Sequence, residues 1–110
     1  RDFPYIDDVV AGVLAALERP PADADPNGRP HRIYNLGNHT SEDLNRFIGL
    51  IEEACGRTAQ RIPKGMQPGD VRATYADIES ARRDLGFQPS TPIDTGLARF
   101  VAWYRDYHNV

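Results

Sequence analysis

Four stretches of this 110-residue chain repeat apolar side chains at helical spacing, and each is bounded by Asp, Thr, Pro or Gly. That punctuation limits the fold more than any other feature of the sequence. The first stretch is expected over 8–18, capped by Asp7 or Asp8. Val9, Val10, Val13, Leu14 and Leu17 form its apolar stripe. The second follows Thr40 as N-cap, with Asp43 completing a capping-box variant. It carries Leu44, Phe47, Ile48, Ile51 and Cys55 and closes at Gly56. The third begins at Asp77 as N-cap, has Ile78 and Leu85 on one face, and closes at Gly86. In the fourth, Thr91 is the expected cap, Pro92 the first helical residue and Asp94 the capping-box partner. Ile93, Leu97, Phe100, Val101 and Tyr104 are its expected buried stripe, with Trp103 and Tyr107 flanking it as core aromatics.

Short runs rich in β-branched and aromatic residues separate these helices, at 3–6, 32–36, 58–62 and 71–75, and are expected as strands or extended segments. Alternation of this kind reads as an α/β fold, α+β-like, of one domain. Residues 19–31 hold four prolines, a glycine and small polar side chains, and are expected to be a flexible loop.

Composition excludes several classes. The formal charge is -3 and no basic run interrupts it, which disfavours nucleic-acid binding. No stretch reaches the ~20 apolar residues of a membrane span, and no signal peptide is visible, so a cytoplasmic setting is the expectation. Cys55 is the only cysteine, so no intrachain disulfide can form and the thiol reads as a small core residue. His31, His39 and His108 have no metal-ligand spacing, and no metal is expected. The chain opens on Arg1 rather than Met and runs at once into extended material, which reads as a fragment of something longer.

The densest local signal is MQPGDVRATYAD, residues 66–77. Pro68-Gly69 specifies a tight turn, since proline pre-sets φ and glycine accepts φ > 0. Asp70 follows at the loop edge. Catalytic motifs are absent: no G-x-G-x-x-G, no G-x-x-x-x-G-K-[ST], no G-x-S-x-G, no H-E-x-x-H. None of the five tyrosines has a lysine four residues later, and no catalytic residue is assigned to the chain.

RDFPYIDDV (1–9), YNLGN (34–38), MQPGDVRATYAD (66–77), LGFQPSTPIDTGL (85–97) and FVAWYRDY (100–107) occur in that order. Together they resemble the C-terminal lobe of extended short-chain dehydrogenase/reductases, nearest to NAD-dependent nucleotide-sugar epimerases of the UDP-glucuronate 4-epimerase kind. The resemblance covers the whole chain. It implies a single substrate-binding lobe over 1–110 with short strands and about four helices, and no complete Rossmann fold. It implies a parent that inverts C4 of a UDP-hexuronate or UDP-hexose by transient oxidation. NAD would be bound mainly by the Rossmann domain, a partner this chain lacks, and the chain alone is not expected to be catalytic. Arg1 matches the arginine that reaches the pyrophosphate, where a guanidinium pairs bidentately with phosphate oxygens. Asp70 matches the aspartate that accepts from the ribose hydroxyls. Gln67 stands where galactose-type relatives carry a phosphate-binding arginine, and it brings no charge. Arg72 reads as a solvated arginine. Two other readings stay open at this point: a non-enzymatic nucleotide-binding module, and a piece that self-associates through an uncovered apolar face into homo-oligomers.

Overall fold

The computed structural model describes residues 1–22 and 27–110. Four helices follow in order: α1 (Ile6–Glu18), α2 (Leu44–Cys55), α3 (Glu79–Leu85) and α4 (Ile93–His108). They pack as two pairs, α1 on α3 and α2 on α4. The four runs expected as strands are not strands, and no β-strand occurs among the described residues. A strand exists only when its backbone groups find a neighbouring strand to pair with. Here the runs at 1–6, 32–39 and 71–77 approach one another around Asp2, Gly37 and Ala76, but through side-chain bonds; among the described residues they exchange no ladder of backbone hydrogen bonds. What is seen is a small, largely helical part rather than a layered α/β domain. The loop expected over 19–31 includes 23–26, which lie outside the described residues.

The helix ends are set by residues slightly different from those expected. Asp43 itself, rather than Thr40, caps α2, its side chain accepting from the backbone N–H of Asn45 (2.8 Å) and Arg46 (3.1 Å). Gly56 and Gly86 close α2 and α3 in the left-handed region, at φ 65° and 70°, where a β-carbon would be strained. Asp77 sits one residue before the N-cap of α3 and still accepts from Glu79 N at 3.0 Å. Thr91 makes no side-chain cap for α4, whose N-cap is Pro92. Asp94 bonds Thr95 N next to it rather than reaching back to the cap.

The core is small. Ile78, Ala81, Leu85 and Phe87 are buried together, with Ala15, Ala16, Tyr34, Leu36 and Ala76 packed against them. Helix α1 meets this cluster with its small-residue side. Gly12 approaches so closely that a β-carbon there would lie 2.7 Å from Leu36 Cδ2 and 2.9 Å from Phe87 Cδ2. The stripe expected to be buried faces the other way: Val10, Val13, Leu14 and Leu17 are exposed, Leu17 at 74%. Helix α4 divides similarly. Ile93, Leu97 and Val101 are buried, but Phe100, Trp103, Tyr104 and Tyr107 are exposed, Trp103 at 54%. The aromatic set is therefore not core. It is a ladder of rings along the outer face of α4, with Trp103 and Tyr107 stacked at 5.4 Å between centroids.

This architecture is open. The radius of gyration is 17.7 Å, against about 13 Å for a compact chain of this length. The accessible surface is 8443 Å², about 2,300 Å² more than a folded monomer of this mass presents. A helix such as α1, apolar on both sides, is built to lie between two layers.

Candidate functional site

Two aspartates organise the ground on which the expected site residues stand. Asp8, on the buried side of α1, spans to the segment that leads into α4. It accepts from Ser90 N (3.2 Å), Ser90 Oγ (3.3 Å) and Thr91 N (3.0 Å). Burial pushes its carboxyl up. The backbone N–H groups of Thr91 and Ser90, with their hydroxyls, outweigh that and hold it below the ordinary carboxylate value of 3.8. Its role is thus not the cap of its own helix; it fastens α1 to α4.

Asp2 does the equivalent at the other end. Its Oδ1 accepts from Asn38 N (2.8 Å) and its Oδ2 from Ala76 N (2.9 Å) and His39 N (3.2 Å). Residues 37–39 and 76 come close there: a β-carbon on Gly37 would fall 2.4 Å from Ala76 Cβ and 2.7 Å from Asp2 Oδ2. His39 adopts φ 57°, unusual for a residue with a side chain, and its Nδ1 lies 3.0 Å from Ala76 O. Neither role is legible in the sequence around Asp2 or Asp8. An aspartate that binds backbone 36 to 83 residues away leaves no local pattern.

Arg1, Gln67 and Asp70 come together. The Arg1 backbone exchanges two bonds with Glu42, each 2.9 Å. Its side chain crosses to the PGD turn, where one guanidinium nitrogen pairs with Asp70 Oδ1 and another donates to Val71 O at 2.8 Å. Gln67 and Asp70 close the turn through Asp70 N to Gln67 O at 3.1 Å, with Gly69 at φ 84°. The Arg1 bond, and next the Val71 N–H at 2.9 Å, hold the Asp70 carboxyl below the usual range. Asp70 is therefore ionised at neutral pH. Both of these bonds fall on Oδ1; among the described residues Oδ2 accepts nothing. Arg1 and Asp70 are 40% and 43% exposed, so both can meet a ligand. A guanidinium has five N–H donors, and only two are engaged. Chemically the cluster offers a fixed cation with free donors beside a fixed anion with a free acceptor. Arg72 is exposed on the same segment.

Two hollows lie elsewhere. One, of about 300 Å³, is lined by Phe3, Tyr5, Phe47, Leu97 and Phe100 among others; its neighbour, of about 480 Å³, shares Tyr5 and Phe100 and adds Trp103. Both are almost wholly apolar and read as ground for packing. No group of three or more metal-ligating side chains occurs among the described residues. No helix there is long and apolar enough to cross a membrane.

No protein-family model matches the chain. It is 36% identical to Protein CapI of Staphylococcus aureus, over 98% of this chain and 35% of that protein. It is 38% identical to UDP-glucuronate 4-epimerase 3 of Arabidopsis thaliana, over 99% of this chain and 27% of that protein. Among solved structures it is similar to UDP-glucuronic acid 4-epimerase from Bacillus cereus in complex with UDP-glucuronic acid and NAD. The TM-score there is 0.77 at 27% identity, covering 97% of this chain and 32% of that one. The chain thus spans between a quarter and about a third of the length of the relatives it matches.

Proposed function

We infer what this chain does from one premise: it belongs with the C-terminal part of the NAD-dependent nucleotide-sugar epimerases, in the extended short-chain dehydrogenase/reductase family. It is the UDP-sugar-binding portion of an enzyme that inverts C4 of a UDP-hexuronate or UDP-hexose, and it works in the cytoplasm. The single observation carrying this reading is that UDP-glucuronate 4-epimerases match essentially the whole chain. In the proposed complex Arg1 presents its unengaged N–H groups to the diphosphate. Asp70 receives the ribose hydroxyls on Oδ2. Gln67 adds a neutral hydrogen-bonding amide beside the phosphates. When bound, NAD supplies the transient oxidation at C4. The chain's own residues do not fit the dinucleotide, because no glycine-rich turn joins a strand to a helix in it. NAD belongs to the remainder of the enzyme.

That remainder is also the partner that covers α1. The uncovered side of α1, with Ile33 also exposed, and the ring ladder of α4 make an apolar surface. The excess of about 2,300 Å² suits an obligate interface. A second reading rests on the same uncovered helix: without the remainder, copies of the chain self-associate through it. Calorimetry with UDP tests the binding reading. Saturable heat that Asp70→Asn weakens by tenfold or more supports it, and no heat at millimolar UDP contradicts it. Sedimentation over a range of concentrations tests the second; a strict monomer throughout counts against it.

A further inference from the structure

We propose that Asp2 is the positioning residue of the UDP site: its carboxylate joins the segment carrying Arg1 to the segment carrying Asp70 and holds the two side chains in register. This rests on the UDP-site reading for its consequence, but its geometry is independent of any ligand. Every residue from 56 to 75 is exposed, so no buried side chain anchors the run that contains Asp70. At its far end the run meets the core through Ala76 and the buried Ile78, and polar ties around Ala76 set the direction in which it leaves. The Ala76 N–H is bound by Asp2, its carbonyl lies against His39, and Asn35 Nδ2 donates to Asp77 O at 3.1 Å. Arg1 is the residue next to Asp2, so one carboxylate ties together the segments that carry the two members of the ion pair, alongside the Glu42 bonds that hold the Arg1 backbone. The approach is tight because Gly37 has no side chain, which lets the backbone of 38 and 39 reach the same carboxylate.

A neutral amide cannot replace this carboxylate. Asparagine keeps one acceptor oxygen and would aim an NH2 at a backbone N–H that needs an acceptor. A purely local structural role would leave Asp70, six residues before Ala76, unaltered. A positioning role would release it from Arg1.

The test is made first without ligand. The Asp70 carboxyl is titrated by carbon-13 NMR in the wild-type chain, Asp2→Asn, Arg1→Gln and the double variant, with circular dichroism confirming helix content. The expected result is that Asp2→Asn raises the Asp70 midpoint toward the ordinary 3.8, and adds nothing once Arg1 is Gln. An unchanged midpoint in Asp2→Asn overturns the proposal, as does a rise that persists in full without Arg1. The second measurement is calorimetry with UDP, where Asp2→Asn is expected to weaken binding at least tenfold; a change within twofold also overturns the proposal. Should the wild-type chain give no heat with UDP, the functional reading fails while the titration still decides the role of Asp2. If Asp2→Asn does not fold, Gly37→Ala is used, which keeps the carboxylate and forces the segments apart. It is expected to raise the Asp70 midpoint, and no movement overturns the proposal.

Discussion

Replacing Asp8 with alanine separates the two helix pairs at a point where the structure permits a magnitude to be worked. The carboxylate is 8% exposed and accepts three hydrogen bonds from Ser90 and Thr91. Bonds to a charged acceptor contribute roughly 1.5–3 kcal/mol each when shielded, and a backbone N–H left without a partner loses about 1–3 kcal/mol. The bonds at 3.2 and 3.3 Å are long and the donors lie at the edge of the core, so each belongs at the low end. The expected loss for Asp8→Ala is about 3 kcal/mol, and for Asp8→Asn, which retains one acceptor oxygen, about 1.5 kcal/mol. Urea denaturation followed by circular dichroism measures both. Asp7→Ala, on the exposed side of the same turn, is the control and is expected to change stability by less than about 1 kcal/mol. The pH dependence has a definite sign. Because the folded carboxyl is held below its ordinary 3.8, the unfolded chain binds more protons near that value. The stabilisation is present above about pH 4 and is lost as pH falls through the folded value. Asp8→Asn should flatten that acid limb. If Asp8→Ala unfolds within 0.5 kcal/mol of wild type (about the scatter of neutral surface changes), the reasoning that Asp8 fastens α1 to α4 is wrong.

Three further outcomes follow from the packing. Leu14→Glu, on the uncovered side of α1, should leave unfolding stability within about 0.5 kcal/mol and reduce concentration-dependent association in sedimentation. Gly12→Ala should destabilise by about 1–3 kcal/mol through overpacking against Leu36 and Phe87, read by the same urea titration. Ile78→Ala, at the one fully buried large side chain among the described residues, should lose about 2–5 kcal/mol.

The helices were legible because period and punctuation are local. Gly56 and Gly86 close α2 and α3 where expected, while the N-caps lie at Asp43 rather than Thr40 and at Ile78 rather than Asp77. Burial was less legible. Helix α1 carries two apolar sides, and sequence periodicity favours the larger one. The core instead takes the Gly12, Ala15 and Ala16 side, because the small residues let α3 approach, while the larger side faces away from it. The expected strands failed for a related reason: extended propensity at 32–36 or 71–75 is realised only against a neighbour. Of the candidate site, Arg1, Gln67 and Asp70 were all named from the sequence, through turn chemistry and family resemblance. That Arg1 and Asp70 serve one ligand is what the resemblance implies; that they pair directly with each other across 69 residues is not written in the local sequence. Asp2 was overlooked because its partners are backbone N–H groups, which any residue supplies.

If this chain holds UDP, the PGD turn and Arg1 form one surface for a nucleoside diphosphate. Nitrogen-15 NMR of the chain titrated with UDP measures this residue by residue. Progressive shifts centred on Asp70, Val71 and the Gln67 turn, with smaller ones at Asn38 and Ala76, are the predicted result. Shifts confined to the ring ladder of α4, or none at millimolar UDP, would contradict it.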